Sequence, residues 1–221
     1  MRIAILAEWG GELGIEYINE LLKNNLELDS IVFIGDEFDV HRKRLVDERT
    51  GGHYKRLEFS KVINGRVIPC FFVRDVNSHQ TGSIFLKLNL DIVVSACTTI
   101  IKNPIWEIPK YGMLNCHSGI VQHYRGCSSI EWAIYNNDPI GSSCHLIKKE
   151  IDAGPLVYQA YLFIDKEDNY QMIRAKMIKH QAVVMAEGVK KIIEKPETFF
   201  EHFKKGKYFK PMKDKKNAKG S

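Results

Sequence analysis

Short apolar runs separated by helix-like stretches make up the first half of the chain. The first run, IAILA at residues 3–7, is continuous rather than alternating, which is typical of a strand buried on both faces of a parallel sheet. Similar runs predict four further strands, at residues 30–35, 68–73, 91–96 and 112–116. Helical spacing after the first run, and again at 79–88, places helices between strands. The alternation predicts an α/β domain whose mostly parallel central sheet is flanked by helices.

The pattern changes in the second half. Residues 128–136 have helical spacing, and residues 142–149 and 154–164 predict two strands. A tight connection at 152–154 joins these strands, so we expect them to pair antiparallel. The sheet should therefore have an antiparallel part.

Two long segments complete the pattern. Asp168 is the expected N-cap of a long helix whose apolar residues recur on one face from Ile173 to Ile193. Residues 36–67, rich in arginine and lysine, fit no regular element. A polar insertion of this length is typical either of a binding loop or of a solvated loop, and the sequence leaves both open.

Positive charge is concentrated at the C-terminal end of the chain. Its 221 residues, 44% hydrophobic and 27% charged, suffice for one large domain. The net charge of +5 comes from residues 204–221, which hold eight lysines and one aspartate and leave −2 on the rest. We therefore predict a folded domain over 1–200 and a flexible lysine-rich tail over 201–221. The folded part lacks a basic patch, which argues against nucleic acid as a partner.

The cysteines and the hydropathy together indicate the cellular compartment and whether a structural metal is expected. The five cysteines form an odd set without a CxxC pair, which argues against a disulfide framework and a structural zinc site. No apolar run approaches the roughly 18 residues that a membrane span needs. These features predict a cytoplasmic protein with no metal and no membrane partner.

Candidate chemistry follows the strand at 112–116. Asn115 and His117 lie at its carboxyl end, where open α/β sheets bind ligands, and being one residue apart they project to the same side. An amide and an imidazole together can stabilise an oxyanion and move a proton. The alternative is a hydrogen-bonded strand end capped by a histidine. The Asp152 carboxylate, in the turn at 152–154, would favour catalysis if the fold brought it to His117.

Three segments carry a family resemblance: LNCHSGIVQHYRG at 114–126, WAIYNND at 132–138 and GSSCHLIKKEIDAGPL at 141–156. With Asn-x-His, Tyr-Arg-Gly and Asp-x-Gly in this order, the chain resembles the folate-dependent formyltransferases. These enzymes act on glycinamide ribonucleotide, methionyl-tRNA or amino sugars. Many members have Ser-Leu-Leu-Pro after the histidine, where this chain has Gly-Ile-Val-Gln at 119–122. The His-Ser-Gly form is most similar to the sugar N-formyltransferases.

The resemblance implies a Rossmann-like formyltransferase fold over 1–200. It also implies transfer of a formyl group from the cosubstrate N10-formyltetrahydrofolate to a primary amine, without a metal. Asn115, His117 and Asp152 correspond to the catalytic set of the family. The implied folate-binding residues are Thr99, Ile100, Ile101, Lys148, Glu150 and Ile151. His145 lies in the same region, and its role stays open.

The acceptor is inferred from the remaining features. The basic insertion suits an acceptor that carries phosphate or carboxylate. Expected acceptor-binding residues are Trp9, Arg42, Arg44, Tyr124 and Arg125, with Arg49 and Lys55 as further candidates for ion pairing. No segment after the long helix provides the second domain expected of a methionyl-tRNA formyltransferase. We therefore expect a nucleotide-linked amino sugar or a nonulosonic acid precursor, in surface glycan synthesis.

Other classes of function fit the sequence less well. A glycinamide ribonucleotide enzyme is the alternative within the family, although Gly10, Gly11 and Gly14 only partly match a phosphate-binding loop. A cysteine hydrolase would need Cys116 beside His117, but adjacent strand residues point to opposite faces. An RNA-binding protein could use the lysine tail but would not need the Asn-x-His and Asp-x-Gly motifs. The sequence leaves both a monomer and a homodimer open.

Overall fold

Strands and helices alternate through the computed structural model, which describes residues 1–35, 40–196 and 205–212, without the side chains of residues 40–42. The strands are β1 (Ile3–Glu8), β2 (Ser30–Ile34), β3 (Cys70–Val73), β4 (Ile92–Ala96), β5 (Met113–His117), β6 (Tyr124–Gly126), β7 (Gly141–Leu146), β8 (Leu156–Tyr161) and β9 (Lys207–Phe209). The helices are α1 (Glu12–Lys23), α2 (Val40–Thr50), α3 (Phe59–Ile63), α4 (His79–Leu88), α5 (Ser129–Asn136) and α6 (Tyr170–Glu194), and a 3₁₀ turn covers Ile105–Glu107.

A seven-stranded sheet in the order β3-β2-β1-β4-β5-β7-β8 forms the centre of the fold. The five strands from β3 to β5 are parallel, whereas β7 is antiparallel to both β5 and β8. β1 and β4 consist mainly of apolar or small residues because helices cover both of their faces. The predicted fold class, a mostly parallel sheet with an antiparallel part and flanking helices, is confirmed.

Two apolar cores lie on the two faces of this sheet. On one face Leu21 of α1 and Val184 of α6 belong to the same buried cluster as Leu114 of β5. On the other face Phe85 of α4 packs in a cluster with Met113. Consecutive residues of β5 thus point to opposite cores, and Asn115 and His117 lie on the face opposite Cys116.

The N-cap and the insertion differ from expectation. Asn169, not Asp168, caps α6, since its Oδ1 accepts a hydrogen bond of 2.9 Å from the Met172 amide. Asp168 instead accepts from the Asp165 amide and from Lys176. The insertion at 36–67, which fits no regular pattern, contains α2 and α3. The pattern does not predict α2 because this helix is almost entirely polar and has no apolar stripe to detect.

The C-terminal segment, residues 205–212, lies against the loop that follows β5. Its strand β9 pairs in parallel with β6, and the Phe209 ring packs between Tyr124 and Trp132. The remaining residues of the expected tail lie outside the described part of the chain, and the domain boundary at residue 200 stays a prediction. Within the described ranges, no helix has the length and apolarity to span a membrane.

Candidate functional site

A cleft opens at the carboxyl ends of β4 and β5. Because these strands are parallel neighbours, the loops that leave them meet at the same edge of the sheet. Asn115 and Asp152 line the cleft together with all six residues expected to bind folate. Those six are Thr99, Ile100, Ile101, Lys148, Glu150 and Ile151. Ile101 also belongs to the apolar core, whereas the Ile100 side chain is 62% exposed.

Asn115 contacts a second histidine across the sheet. The antiparallel register places Asn115 opposite His145, and its Nδ2 lies 3.3 Å from His145 Nε2. His145 Nδ1 lies 3.0 Å from the Leu146 carbonyl oxygen. Since a carbonyl only accepts, Nδ1 carries a proton in this arrangement; Nε2 can then accept from Asn115 in the neutral ring, or donate to Asp152 Oδ1 in the protonated ring. His145 lines the cleft, and its site role follows from strand register rather than from a sequence motif.

Asp152 connects the two histidines. Its Oδ2 lies 3.3 Å from His117 Nδ1 and accepts a 2.9 Å hydrogen bond from the Gly126 amide, while Oδ1 lies 3.4 Å from His145 Nε2. Burial by itself would raise the pKa of Asp152, but the two histidines and the Gly126 amide bring it down to about 2. The structure therefore brings Asp152 to His117, and the carboxylate is ionised at neutral pH.

His117 is only 8% exposed and is not among the residues that line the cleft, but it contacts Asp152, which does line it. Its Nε2 lies 2.8 Å from the Ser129 hydroxyl and 3.1 Å from the Tyr124 carbonyl oxygen. Burial lowers the pKa of His117, and the Asp152 carboxylate opposes that shift. In the neutral ring the Ser129 hydroxyl can donate to Nε2, and in the protonated ring Nε2 can donate to the Tyr124 carbonyl. The ring has a partner in both protonation states, as proton transfer requires.

Tyr124 does not line the cleft, contrary to expectation. Its side chain is 3% exposed in the apolar cluster with Ile130 and Phe209. Its hydroxyl donates to the Asp138 carboxylate and accepts from Asn136. Burial of the aromatic ring in this cluster is more favourable than its exposure at the cleft. Tyr124 contributes its backbone carbonyl group to the site, 3.1 Å from His117 Nε2.

Arg125 also differs from the expected acceptor contact. It is 8% exposed, and its guanidinium is engaged inside the protein. Nε donates to the Gly206 carbonyl at 2.8 Å, and Nη1 donates to Glu150 Oε1 at 2.6 Å and to the Ile151 carbonyl at 3.3 Å. The arginine thus connects the C-terminal segment with the loop that carries Asp152.

The other expected acceptor residues are dispersed. Trp9 packs edge-on against Phe33 and lines a small apolar pocket beside α1. Arg44 is exposed on α2 and pairs with Glu48 of the same helix. Arg42 lies in α2, but its side chain is outside the described part of the structure. The structure does not bring these residues together.

A second, charged pocket lies between α1, α2 and α6. It is lined by Glu12, Leu13, Leu45, Val46, Arg49, Thr50, Thr98, Arg174, Ile178 and Gln181. Thr98 also lines the first cleft, so the two openings adjoin. Gln181 donates to the Cys116 carbonyl at 2.6 Å, which ties α6 to the strand segment between Asn115 and His117. Sequence reasoning misses Glu12, Arg174 and Gln181 because they come from helices distant in sequence and carry no motif.

The cysteines offer no alternative nucleophile beside His117. Burial raises the pKa of the Cys116 thiol well above its ordinary value, and its side chain lies in the core on the opposite face. The described part of the chain has no group of three or more histidine, cysteine or acidic side chains arranged to hold a metal.

Comparisons with known proteins show the family of the chain. Residues 1–189 match the family model described as "Formyl transferase". Methionyl-tRNA formyltransferase of Thermodesulfovibrio yellowstonii is 33% identical over 112 residues, which are 48% of this chain and 36% of the relative. Polymyxin resistance protein ArnA of Wigglesworthia glossinidia brevipalpis is 30% identical over 112 residues, 50% of this chain and 17% of the relative. The chain thus spans about a third or less of the length of these relatives.

Two solved structures share the fold. Phosphoribosylglycinamide formyltransferase from Bacillus halodurans superposes with a TM-score of 0.66 at 17% identity, over 91% of this chain and 100% of that one. A sugar N-formyltransferase from a Shewanella species superposes with a TM-score of 0.63 at 17% identity, over 95% of this chain and 76% of that one. At this identity the similarity concerns the fold.

Proposed function

Because the chain belongs to the formyl transferase family, we propose that it transfers the formyl group of N10-formyltetrahydrofolate to the primary amine of an amino sugar. The proposed acceptor is a nucleotide-linked amino-deoxysugar or a nonulosonic acid precursor used in surface glycan synthesis. One observation carries the proposal: Asn115 and Asp152 line the same cleft as the six residues expected to bind folate.

The walls of this cleft suit a folate. Ile100 and Ile151 expose 62% and 38% of their surface, and apolar side chains so placed can cover the faces of a flat ring system. Lys148 and Lys149 lie at the same cleft and can pair with the carboxylates of the glutamate tail. The folate would supply the formyl group, and these residues would hold and orient the folate.

The polar residues suit acyl transfer to an amine. When the amine adds to the formyl carbon, Asn115 Nδ2 would donate to the oxygen that gains negative charge. With a pKa of about 2, Asp152 is a weak base at neutral pH, so we assign it the role of organising the imidazoles. Burial lowers the pKa of His117, and a neutral His117 that donates from Nε2 to the Tyr124 carbonyl leaves Nδ1 free to receive the amine proton through Asp152 or a water molecule. By the same route the proton would return to N10 of the folate as the bond between N10 and the formyl carbon breaks and tetrahydrofolate leaves.

The charged pocket suits the acceptor. Arg49, together with Arg174, whose Nη1 also donates to Glu131 at 3.2 Å, would bind a phosphate or carboxylate, which guanidinium groups recognise through paired hydrogen bonds. The carboxylate of Glu12, a residue that is 9% exposed, can accept hydrogen bonds from hydroxyl or amino groups of a sugar. Thr98 lies on both openings, so a sugar bound in this pocket would have a short path to the formyl group.

A second candidate has support from the same pocket. Two arginines suit the phosphate of glycinamide ribonucleotide as well as the diphosphate of a nucleotide sugar. We keep transfer to glycinamide ribonucleotide as the alternative, because both acceptors combine a primary amine with phosphate.

A coupled assay tests both candidates. The protein is incubated with N10-formyltetrahydrofolate and a panel of amines: 3-amino and 4-amino dTDP- and GDP-deoxysugars, UDP-linked amino sugars, a free diamino sugar and glycinamide ribonucleotide. Release of tetrahydrofolate and the acceptor mass are followed. Gain of one formyl group by an amino sugar is the expected result. Formylation of glycinamide ribonucleotide alone would replace the acceptor, and absence of folate binding would refute the proposal.

A further inference from the structure

We propose that Arg125 and the C-terminal segment, residues 205–212, form a clamp that positions the Asp152 loop for catalysis and folate binding. The Asp152 loop is defined as residues 148–152. The inference rests on the proposed function for its catalytic meaning, but the contacts that define the clamp are independent of any substrate.

The guanidinium of Arg125 is the centre of the clamp. A buried arginine is costly unless its donors are satisfied, and at 8% exposure Arg125 is satisfied by two distant parts of the chain. One is the C-terminal segment, through the Gly206 carbonyl, and the other is the Asp152 loop, through Glu150 and the Ile151 carbonyl. Lys205 Nζ adds a second contact between the same two parts, 2.5 Å from Glu150 Oε2.

The C-terminal segment fits the loop after β5 closely. The Gly206 amide donates to the Val121 carbonyl at 3.0 Å, and the Cys127 amide donates to the Phe209 carbonyl at 2.9 Å. A Cβ atom at Gly206 would lie 2.6 Å from the carbonyl carbon of Gln122 and 2.6 Å from the His123 amide nitrogen. Backbone atoms cannot yield as a flexible side chain can, so this approach needs glycine.

A second glycine, on β6, makes a similarly close contact with the backbone of the C-terminal segment. Gly126 has a φ of +88°, and a Cβ atom there would lie 2.5 Å from the Phe209 carbonyl oxygen. Two backbone segments thus meet through a glycine on each, and the Phe209 ring anchors the segment in the apolar cluster beside Tyr124. A closely fitted and anchored strand is a structural part of the domain rather than a solvated tail.

The clamp leads directly to the reaction centre. Gly126, which β9 holds, donates its amide hydrogen to Asp152 Oδ2 at 2.9 Å. Its neighbour Arg125 holds the Ile151 carbonyl, one residue before Asp152. The carboxylate that faces His117 and His145 is therefore held by the strand against which the C-terminal segment packs. Displacement of the segment would release β6 and move Asp152 relative to both imidazoles and to the folate wall.

Gly206→Ala tests the clamp without removing any polar side chain. Gly65→Ala is the control for destabilisation away from the clamp: alanine is strained at its φ of +77°, but Gly65 is exposed, has no atom within 4 Å of its added Cβ, and lies outside the clamp. Urea unfolding shows whether each variant is folded. Imidazole titration by NMR, in the absence of substrate, measures the pKa of His117, which depends on how close the Asp152 carboxylate lies. Steady-state kinetics separate KM for N10-formyltetrahydrofolate from kcat.

The expected result for Gly206→Ala is a folded protein with a tenfold or larger loss in kcat/KM for the folate and a changed pKa of His117, because burial lowers that pKa and the nearby Asp152 carboxylate raises it. Wild-type kinetics and titration in Gly206→Ala would overturn the proposal, as would equal changes in Gly65→Ala. If Gly206→Ala does not fold, Arg125→Lys gives the same test, because lysine keeps the positive charge but lacks the several donors of the planar guanidinium. Wild-type protein without formyl transfer would refute the proposed function, while the titration would still decide on the clamp.

Discussion

Replacing Asp152 by asparagine removes one negative charge from between two imidazoles. The side chain keeps its size, and asparagine tolerates the left-handed backbone of this position, φ +49°, as well as aspartate does. Oδ2 faces His117 and the Gly126 amide, and Oδ1 faces His145. The substitution therefore tests the charge of Asp152 rather than its packing or its backbone conformation.

The magnitude follows from the pKa of the carboxylate. Folding lowers it from an ordinary 3.8 to about 2. At about 1.4 kcal/mol per pH unit this contributes roughly 2–3 kcal/mol to the free energy of unfolding at pH 7. The side chain is only 10% exposed, so solvent screens the interaction little. Because the folded pKa is depressed, the contribution is complete above the unfolded pKa and is lost as the pH falls from about 4 to 2; roughly half of it remains at pH 3.

Urea unfolding of wild type and Asp152→Asn at pH 7 and pH 3 measures this difference. We expect the variant to be less stable by roughly 2–3 kcal/mol at pH 7 and by roughly half of that at pH 3, with a Tm lower by about 5–10 °C at neutral pH. Asp165→Asn is the control, since Asp165 pairs with Lys176 at the surface and such pairs contribute about 0–1 kcal/mol.

The same variant should lose nearly all formyl transfer, and the pKa of His117 should fall further because the carboxylate that raises it is gone. Equal free energies of unfolding for wild type and Asp152→Asn at pH 7 would refute the electrostatic reasoning. Undiminished turnover in a correctly folded variant would remove Asp152 from the mechanism.

Three further predictions concern the reaction, the acceptor and the C-terminus. Asn115→Ala should fold normally and lose on the order of 10²–10³ in kcat, the usual effect of removing one oxyanion donor, and near wild-type turnover would exclude that role. Arg49→Gln and Arg174→Gln should each raise KM for a phosphorylated acceptor about tenfold, the effect of losing roughly 1.4 kcal/mol of binding, while the surface control Arg44→Gln should not; equal KM values in all three would exclude the charged pocket as the acceptor site. Deleting residues 213–221, which leaves the clamp whole, should leave kcat/KM unchanged, and a tenfold loss would mean that these lysines contact the site or a partner.

Local patterns in the sequence were sufficient for the strands of the central sheet and for the position of Asn115 and His117 at a strand end, whereas the expected folate-binding residues and the role of Asp152 came from the family resemblance. Continuous apolar runs such as IAILA predict buried parallel strands because a strand covered on both faces has no room for polar side chains. The motifs around Asn115 and Asp152 lie at strand ends and turns, where the backbone itself sets the direction of the side chains. The sequence pattern did not predict α2 because most of its residues are polar and several pair with each other at the surface, as Arg44 does with Glu48.

Strands, helices, turns and the types of reactive residue could be predicted because they depend on neighbours along the chain. Which of those residues meet depends on the tertiary structure. Antiparallel pairing of β5 with β7 placed His145 opposite Asn115 and allowed Asp152 to reach His117, although the two are far apart in sequence. Arg125 was expected to face the acceptor, but it donates instead to the carbonyl of Gly206, 81 positions later in the chain. Such contacts depend on register and packing between distant segments, and no local pattern encodes them.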